Sequence, residues 1–431
     1  MRRLAVALVA LLAATPTRAQ APPDFSAVTA LLQDSLGRFG GGEFMLMQHG
    51  RTLYRASFAG WDSTQAVPIA SASKWLSGTV VMALVADGTL SLDDTVGRWL
   101  PDAPPDKRPI TLRQLFAHTS GMPGLDLGGC LDDRTTTLDA CARSLLALPL
   151  RGAPGEGFRY GGLSMQIAGR MAEVAAGQSF NALFASRVAG PLGLTRTDFG
   201  PGDNPRVAGG ANSTAAEYAR VLQTVLDGGG TLLTPAAVEA MLADQTQGAE
   251  IVFTPYTSIA RQVGDPSLAE IRYGVGVWRE RVEPATGADL EVASQGAGGF
   301  SPWLDRPRGL VAVLAVDSDL EAIYPTYLRL KALVRDAVGM PSTAGAGPEG
   351  PALALRVAPV PARDRLRIQV DAPAPGRLRL VDTRGRDVIR RDVPAGASAV
   401  ELSLAGLAPG VYALHVAAGG RVGVGRVVVV R

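Results

Sequence analysis

The stretch IASASKWLSGTVVMALVADG, residues 69–88, decides how the rest of the chain is read. From Ser71 or Ser73 onward it contains no proline, and the helix is expected to stop at Gly88, a residue type that commonly closes a helix. Its side chains are apolar on nearly every side, so the spacing predicts a helix enclosed at the centre of a domain rather than lying on a surface. Ser71 and Lys74 stand three positions apart at the head of that helix, which puts their side chains on one face within reach of each other. The exposed N–H groups of a helix start favour negative charge developing at Ser71. A buried lysine, unlike an arginine, can give up its proton and act as a base.

Composition sharpens the last point. Of 42 basic residues only Lys74, Lys107 and Lys331 are lysines. In so arginine-biased a chain, a lysine on an enclosed helix suggests that a removable proton matters. Neutrality near pH 7 would require its pKa to fall by about three units, or ~4 kcal/mol. By itself the Ser-x-x-Lys spacing is a short match that chance also supplies.

Working outward, residues 24–39 (DFSAVTALLQDSLGRF) have helical spacing through Phe25, Val28, Leu31, Leu32 and Leu36. EFMLMQHG and RTLYRASFAG read as two strands turning at His49-Gly50-Arg51. Far along the chain, GLVAVLAVDSD (309–319) reads as a buried strand and YPTYLRLKALVRDAVG (324–339) as a helix. Helix and strands at both ends, with helices such as LSMQIAGRMAEVAAG between them, predict an α+β domain. Its antiparallel sheet is closed by both ends of the chain segment, beside a helical subdomain.

The chain has 431 residues, 47% hydrophobic and 19% charged, ample for one large domain and a small one. Residues 1–19 read as a signal peptide, with Arg2 and Arg3 ahead of an apolar run and Thr17-Arg18-Ala19 at a small-residue cleavage site. The large domain is expected over 20–340, a Pro/Gly/Ala/Ser-rich linker over 341–351, and an all-β sandwich of short alternating strands over 352–431. That last segment carries 13 arginines against six acids, while the whole chain is only +2, so the main body is acidic. The arginines alternate with apolar residues, as on a solvated strand face, and no nucleic-acid partner is expected. Cys130 and Cys141, the only cysteines, favour a local disulfide in an exported protein. Two cysteines and three scattered histidines (His49, His118, His415) give no metal site, and no cofactor is expected. A G-x-S-x-G elbow, a phosphate loop and a dinucleotide fingerprint are all absent from the sequence.

Four segments in order resemble the penicillin-recognising serine hydrolases, the family of class C β-lactamases, D-alanyl-D-alanine carboxypeptidases and related esterases. They are IASASKWLSG, LRQLFAHTSGMPG (112–124), GFRYGGLSMQIAGRMAE (157–173) and SQGAGGFSPWLD (294–305). The resemblance implies acylation of Ser71, proton transfers shared by Lys74 and Tyr160, and an oxyanion hole of the Ser71 and Ala297 N–H groups. It also places Ser294, Gln295, Gly296 and Gly162 against the substrate. His118 reads as a turn-stabilising residue, and Trp303 and Asp305 as holding the edge of the site. Where the family often carries Lys-Thr-Gly this chain has Ser294-Gln295-Gly296, and Gly162 replaces the Asn of Tyr-x-Asn. Both departures remove groups that grip β-lactams and D-Ala-D-Ala ends, so an ester or amide with an uncharged acyl group is the expected small-molecule or peptide-like substrate. The alternatives are a catalytically inactive ligand-binding relative and a true β-lactamase or DD-peptidase.

The end of the chain resembles the sorting domains of type IX secretion cargo. The likeness rests on Pro359-Val360-Pro361, Asp382–Arg386, Gly406–Tyr412 and the closing strand at Arg421–Arg431. It implies secretion machinery as a partner and a secreted or cell-surface location. The chain is read as a monomer.

Overall fold

The structure, a computed structural model, describes residues 22–124, 129–283 and 287–339. Beyond these it describes 353, 355–358, 362–370, 374–381, 387–407, 410–418 and 421–430. The expected signal peptide, the linker and the motifs at 359–361 and 382–386 lie outside the described residues.

Two strands, β1 (Gly42–Gln48) and β2 (Arg51–Phe58), form the expected hairpin. His49 (φ 47°) and Gly50 (φ 76°) both take positive φ, the turn whose twist matches that of paired strands. Later in the chain come β5 (Arg272–Tyr273), β6 (Trp278–Val282), β7 (Asp289–Ala293), β8 (Ser301–Asp305) and β9 (Leu310–Ala315). The seven run in the order β2-β1-β9-β8-β7-β6-β5. β1 lies antiparallel to β9, with Glu43 opposite Ala315 and Gln48 opposite Leu310, so early and late parts of the domain close one sheet as expected.

Every residue of β9 is buried, because both faces of the sheet are covered. Val311, Val313 and Ala315 join one core, while Leu310, Ala312 and Leu314 join the other, as the two-residue period of a strand requires. On the second face lie α1 (Ser26–Leu36) and α7 (Leu320–Val338). α7 starts four residues ahead of the expected helix, capped by Asp319 and carrying Pro325 inside its second turn.

On the first face, α2 (Ser73–Ala86) has twelve consecutive residues buried, Ser73 to Leu84. Its companions include α3 (Leu138–Leu146), α4 (Leu163–Ala176) and α5 (Ala215–Leu226). α4 ends at Gly177 in the left-handed conformation, as a C-terminal glycine allows. A short parallel pair, β3 (Gly157–Arg159) with β4 (Glu250–Phe253), and the helix α6 (Tyr256–Val263) complete the surroundings of the site.

The C-terminal segment forms a three-stranded and a four-stranded sheet around its own apolar cluster, including Leu366, Ile368, Leu378, Leu380, Leu414 and Val416. Arg365 and Arg367 alternate with Leu366 and Ile368 on an exposed-buried strand, the solvated face read from the sequence. No described helix is long and apolar enough to cross a membrane.

Candidate active site

Ser71 stands in a single 3-10 turn, Ala70–Ala72, and the α-helix proper starts at Ser73. Ala70 is held at φ 43°, a conformation that strains a non-glycine residue by about 1–3 kcal/mol and persists only where the surroundings enforce it. Here they do. Ile69 N–H donates to Ala211 O (3.0 Å), Ala211 N–H donates to Ser73 Oγ (2.9 Å), and Tyr218 OH donates to Ala72 O (2.7 Å). Gly296 lies so close that a Cβ there would sit 2.2 Å from Ile69 O. The half-buried Ser71 is thus presented on an over-determined turn.

Lys74 is 3% exposed, and its Nζ donates to Ser71 Oγ (3.1 Å) and to Ala208 O (2.8 Å). The same nitrogen lies 4.7 Å from the centroid of the Tyr160 ring, a cation–π distance. Gly276 (φ 81°) lets its segment approach the Lys74 carbonyl, where a Cβ would come to 2.1 Å. Lysine scarcity proves a weaker signal than the composition suggested. Lys107 and Lys331 are buried too, and each pairs with carboxylates. Lys74 is set apart by what places it: a hydroxyl, a carbonyl and a phenol.

Tyr160 follows β3 directly, and its N–H donates to Phe253 O (3.1 Å) on β4. The ring stacks on Trp278 at 4.8 Å and 30°. Beside it, Gly161 passes Gly124 so tightly that a Cβ would fall 1.3 Å from the Gly124 oxygen. Burial pushes the Tyr160 phenol above its ordinary pKa, and the facing Ser71 and Trp278 side chains pull back only partly. The resting group is therefore a neutral phenol, a proton donor. Sequence reasoning passed over Trp278 and the Ala208 carbonyl, neither of which belongs to a recognisable motif.

His118 is placed differently from the turn-stabilising role read for it. Its backbone does form a turn at φ 58°, but neither ring nitrogen has a hydrogen-bond partner among the described residues. The imidazole packs instead against Tyr160 (4.7 Å) and Tyr273 (4.8 Å). Burial first, then the Lys74 charge, holds its pKa well below the usual imidazole value, so the ring is neutral.

The segment Ser294-Gln295-Gly296 divides between faces. Ser294 points to Ser71, donating from Oγ to Ser71 O (3.3 Å). Gln295 is turned away: its amide is buried among Tyr256, Glu280 and Tyr327, out of a substrate's reach. Neither Ser71 N–H nor Ala297 N–H donates a hydrogen bond among the described residues. Gly162 is buried as the residue before α4. Trp303 and Asp305 do not edge the site. Trp303 belongs to the core on the opposite face, stacked on Phe44, and Asp305 pairs with Arg308 at the far end of β8. A cavity of ≈520 Å³ opens beside Ala297, lined by Phe253, Pro255, Ile259 and Leu320 with Arg261 and Glu321 at its sides. Cys130 and Cys141 are joined, their Cα atoms 5.3 Å apart. No cluster of three or more His, Cys, Asp or Glu able to hold a metal occurs among the described residues.

A serine and a lysine one turn apart at the head of a buried helix, met by a tyrosine from a separate segment, define a class of serine hydrolase. Residues 28–332 match the β-lactamase family, and the chain belongs to it. Residues 356–430 match the secretion system C-terminal sorting domain, which marks a secreted or cell-surface protein. The esterase EstB of Burkholderia gladioli is 31% identical over 196 residues, 40% of this chain and 50% of that one. The lovastatin esterase of Penicillium rubens is 26% identical over 329 residues, 59% of this chain and 81% of its own. A crystal structure from Bacteroides dorei DSM 17855, assigned to the β-lactamases, superposes with a TM-score of 0.66 at 32% identity. It covers 73% of this chain and 99% of that one. The chain spans half or less of the length of the first curated relatives it matches.

Proposed function

We propose that the chain is an exported hydrolase that cleaves an ester or amide through an acyl-enzyme on Ser71. The observation that carries this reading is the convergence of Ser71 Oγ, Lys74 Nζ and the Tyr160 ring. In this mechanism Lys74 acts in its neutral amine form: Ser71 Oγ attacks the carbonyl carbon while its proton passes to the Lys74 Nζ lone pair. The carbonyl oxygen, now an anion, lies between the N–H groups of Ser71 and Ala297. Tyr160, a neutral phenol at rest, delivers its proton to the departing oxygen or nitrogen and recovers one from Lys74. Water then attacks the acyl carbon, gives a proton back along the same groups, and releases the acid with Ser71 restored.

The surroundings favour an uncharged acyl group. Ser294 offers a hydroxyl, already engaged with the Ser71 carbonyl, where a lysine would answer a substrate carboxylate. Gly162 supplies no amide. The cavity beside Ala297, lined by apolar side chains together with Thr254, Thr257, Ser258, Arg261, Asp319 and Glu321, has room for a medium-sized group. The two esterases among the relatives support ester cleavage as the reaction.

The likeness to the Bacteroides dorei structure favours a second reading, β-lactam hydrolysis. A panel of p-nitrophenyl acetate and butyrate, nitrocefin and a peptide ending in D-alanine separates the two. We expect ester hydrolysis that Ser71→Ala abolishes, with nitrocefin and the peptide turned over far more slowly. A folded wild-type protein that hydrolyses no ester overturns the first reading, and nitrocefin as the preferred substrate establishes the second.

A further inference from the structure

The Ala297 N–H, on which the oxyanion hole depends, sits in a turn poorly suited to hold it still. Its neighbours are Gly296, Gly298 and Gly299, and its own side chain is an exposed methyl. Glycine-rich backbone has wide conformational freedom, so the direction of that N–H must be set from outside. The turn is tied within itself by Gly296 N–H to Phe300 O (2.8 Å) and Gly299 N–H to Gly296 O (2.8 Å). The start of α7 and the residue before its cap hold it: Leu320 N–H donates to Ala297 O and Ser318 N–H to Gly298 O, both at 2.7 Å.

The side chain entering the turn is Gln295, 2% exposed, with both amide N–H donors and the amide oxygen hydrogen-bonded. Its oxygen accepts from Tyr256 OH (2.6 Å), and its nitrogen donates to Tyr327 OH (3.0 Å) and Glu280 Oε1 (2.5 Å). These partners come from α6, α7 and β6. Glu280 is held in turn by Tyr327 OH and by Lys331, and Lys331 also pairs with Glu291 at 2.7 Å. Burial works against the Lys331 cation, but the two carboxylates outweigh it and raise its pKa above the ordinary lysine value, so the Glu280 anchor stays charge-matched. An amide with both ends bonded to three elements has one orientation available, and its backbone is fixed with it.

We propose that Gln295 is a positioning residue: its buried amide, locked to Tyr256, Glu280 and Tyr327, fixes the glycine-rich turn so that the Ala297 N–H points at the oxyanion. It touches no substrate. This gives the buried Lys331 a purpose distinct from that of Lys74, since Lys331 supports the oxyanion turn from the far side of the sheet. The inference rests on the Ser71 acyl-enzyme reading.

The test uses the full chain carrying Gln295→Met, which keeps the side-chain length and removes the amide. Loss of positioning lowers kcat for p-nitrophenyl butyrate at least tenfold and leaves KM within twofold. It also weakens phenylboronic acid at least tenfold, because the tetrahedral boronate on Ser71 puts an oxygen where the anion forms. Tyr256→Phe, which removes one bond, gives a smaller fall of the same kind. The double variant is no worse than Gln295→Met alone, since both act through one contact.

Unchanged kcat and boronate affinity in folded Gln295→Met overturns the inference while leaving the acyl-enzyme reading intact. A rise in KM matching the fall in kcat/KM overturns it in favour of direct substrate contact. If Gln295→Met does not fold, Tyr256→Phe and Tyr327→Phe carry the same measurements, and full kcat in both overturns it. A wild type that turns over no ester defeats the acyl-enzyme reading itself, and the inference with it.

Discussion

Replacing Gly296 by alanine tests whether the close approach of the glycine-rich turn to the Ser71 turn matters for the proposed reaction. The added Cβ would lie 2.2 Å from Ile69 O and 3.3 Å from the Ala70 Cβ. Carbon atoms essentially never approach a neighbour closer than 3.0 Å, so the two backbones must separate by about 0.8 Å. Neither side yields easily: Ile69 is bonded to Ala211, and Gly296 to Phe300. Overpacking of this kind costs about 1–3 kcal/mol of stability. The larger effect falls on the rate, because the shift separates Ser71 from the Ala297 N–H. A misplacement near 1 Å lowers turnover by roughly 10²-fold, or ~2.7 kcal/mol of barrier. The assay is p-nitrophenyl butyrate hydrolysis on protein shown to be folded by circular dichroism, with Gly37→Ala as control. Gly37 has helical φ and nothing within 4 Å of a Cβ, so that variant should match wild type. Folded Gly296→Ala with kcat/KM within threefold of wild type would refute the reasoning.

Two further outcomes follow from the same geometry. His118 stays neutral in the fold while an exposed imidazole takes a proton below pH about 6.5, so the unfolded chain binds a proton that the native protein does not. That stability is complete above pH 6.5 and is lost as the pH falls, by about 1.4 kcal/mol per unit; denaturant titrations at pH 7 and 5 should show a smaller drop for His118→Phe, and equal drops would contradict the burial argument. Opening the Cys130–Cys141 bridge releases a loop of about a dozen residues, worth roughly 3 kcal/mol in the chain-entropy account. Calorimetry with and without reductant should show a lower Tm for wild type and no reductant effect on the Cys130→Ser, Cys141→Ser double variant.

Much of this architecture was legible because it rests on local pattern. The His49-Gly50 turn, the enclosed helix after Ser71 and the all-buried strand at 310–315 announce themselves by φ preference and by runs of apolar residues. Ser71, Lys74 and Tyr160 were legible through spacing and resemblance, and the structure brings the three together. Side-chain direction was less accessible. In extended chain, neighbours point to opposite faces, so Ser294 and Gln295 could not both turn toward Ser71, and nothing in the string said that Ser294 would. Trp303 and Asp305 were misplaced for the same reason. Pro325 hid the first turn of the last helix, because proline reads as a boundary unless its position in the first turns is known. The polar cage of Tyr256, Glu280, Tyr327 and Lys331 joins residues up to 75 positions apart and leaves no local trace.

The most direct test of the central claim is to trap the covalent intermediate. Intact protein is mixed with p-nitrophenyl butyrate, quenched in acid within the first turnovers, and digested for mass spectrometry. A butyryl group on the peptide carrying Ser71, lost in Ser71→Ala and longer-lived in Tyr160→Phe, is the expected result. Hydrolysis that proceeds at full rate in Ser71→Ala, or an acyl group found on another residue, would contradict the account.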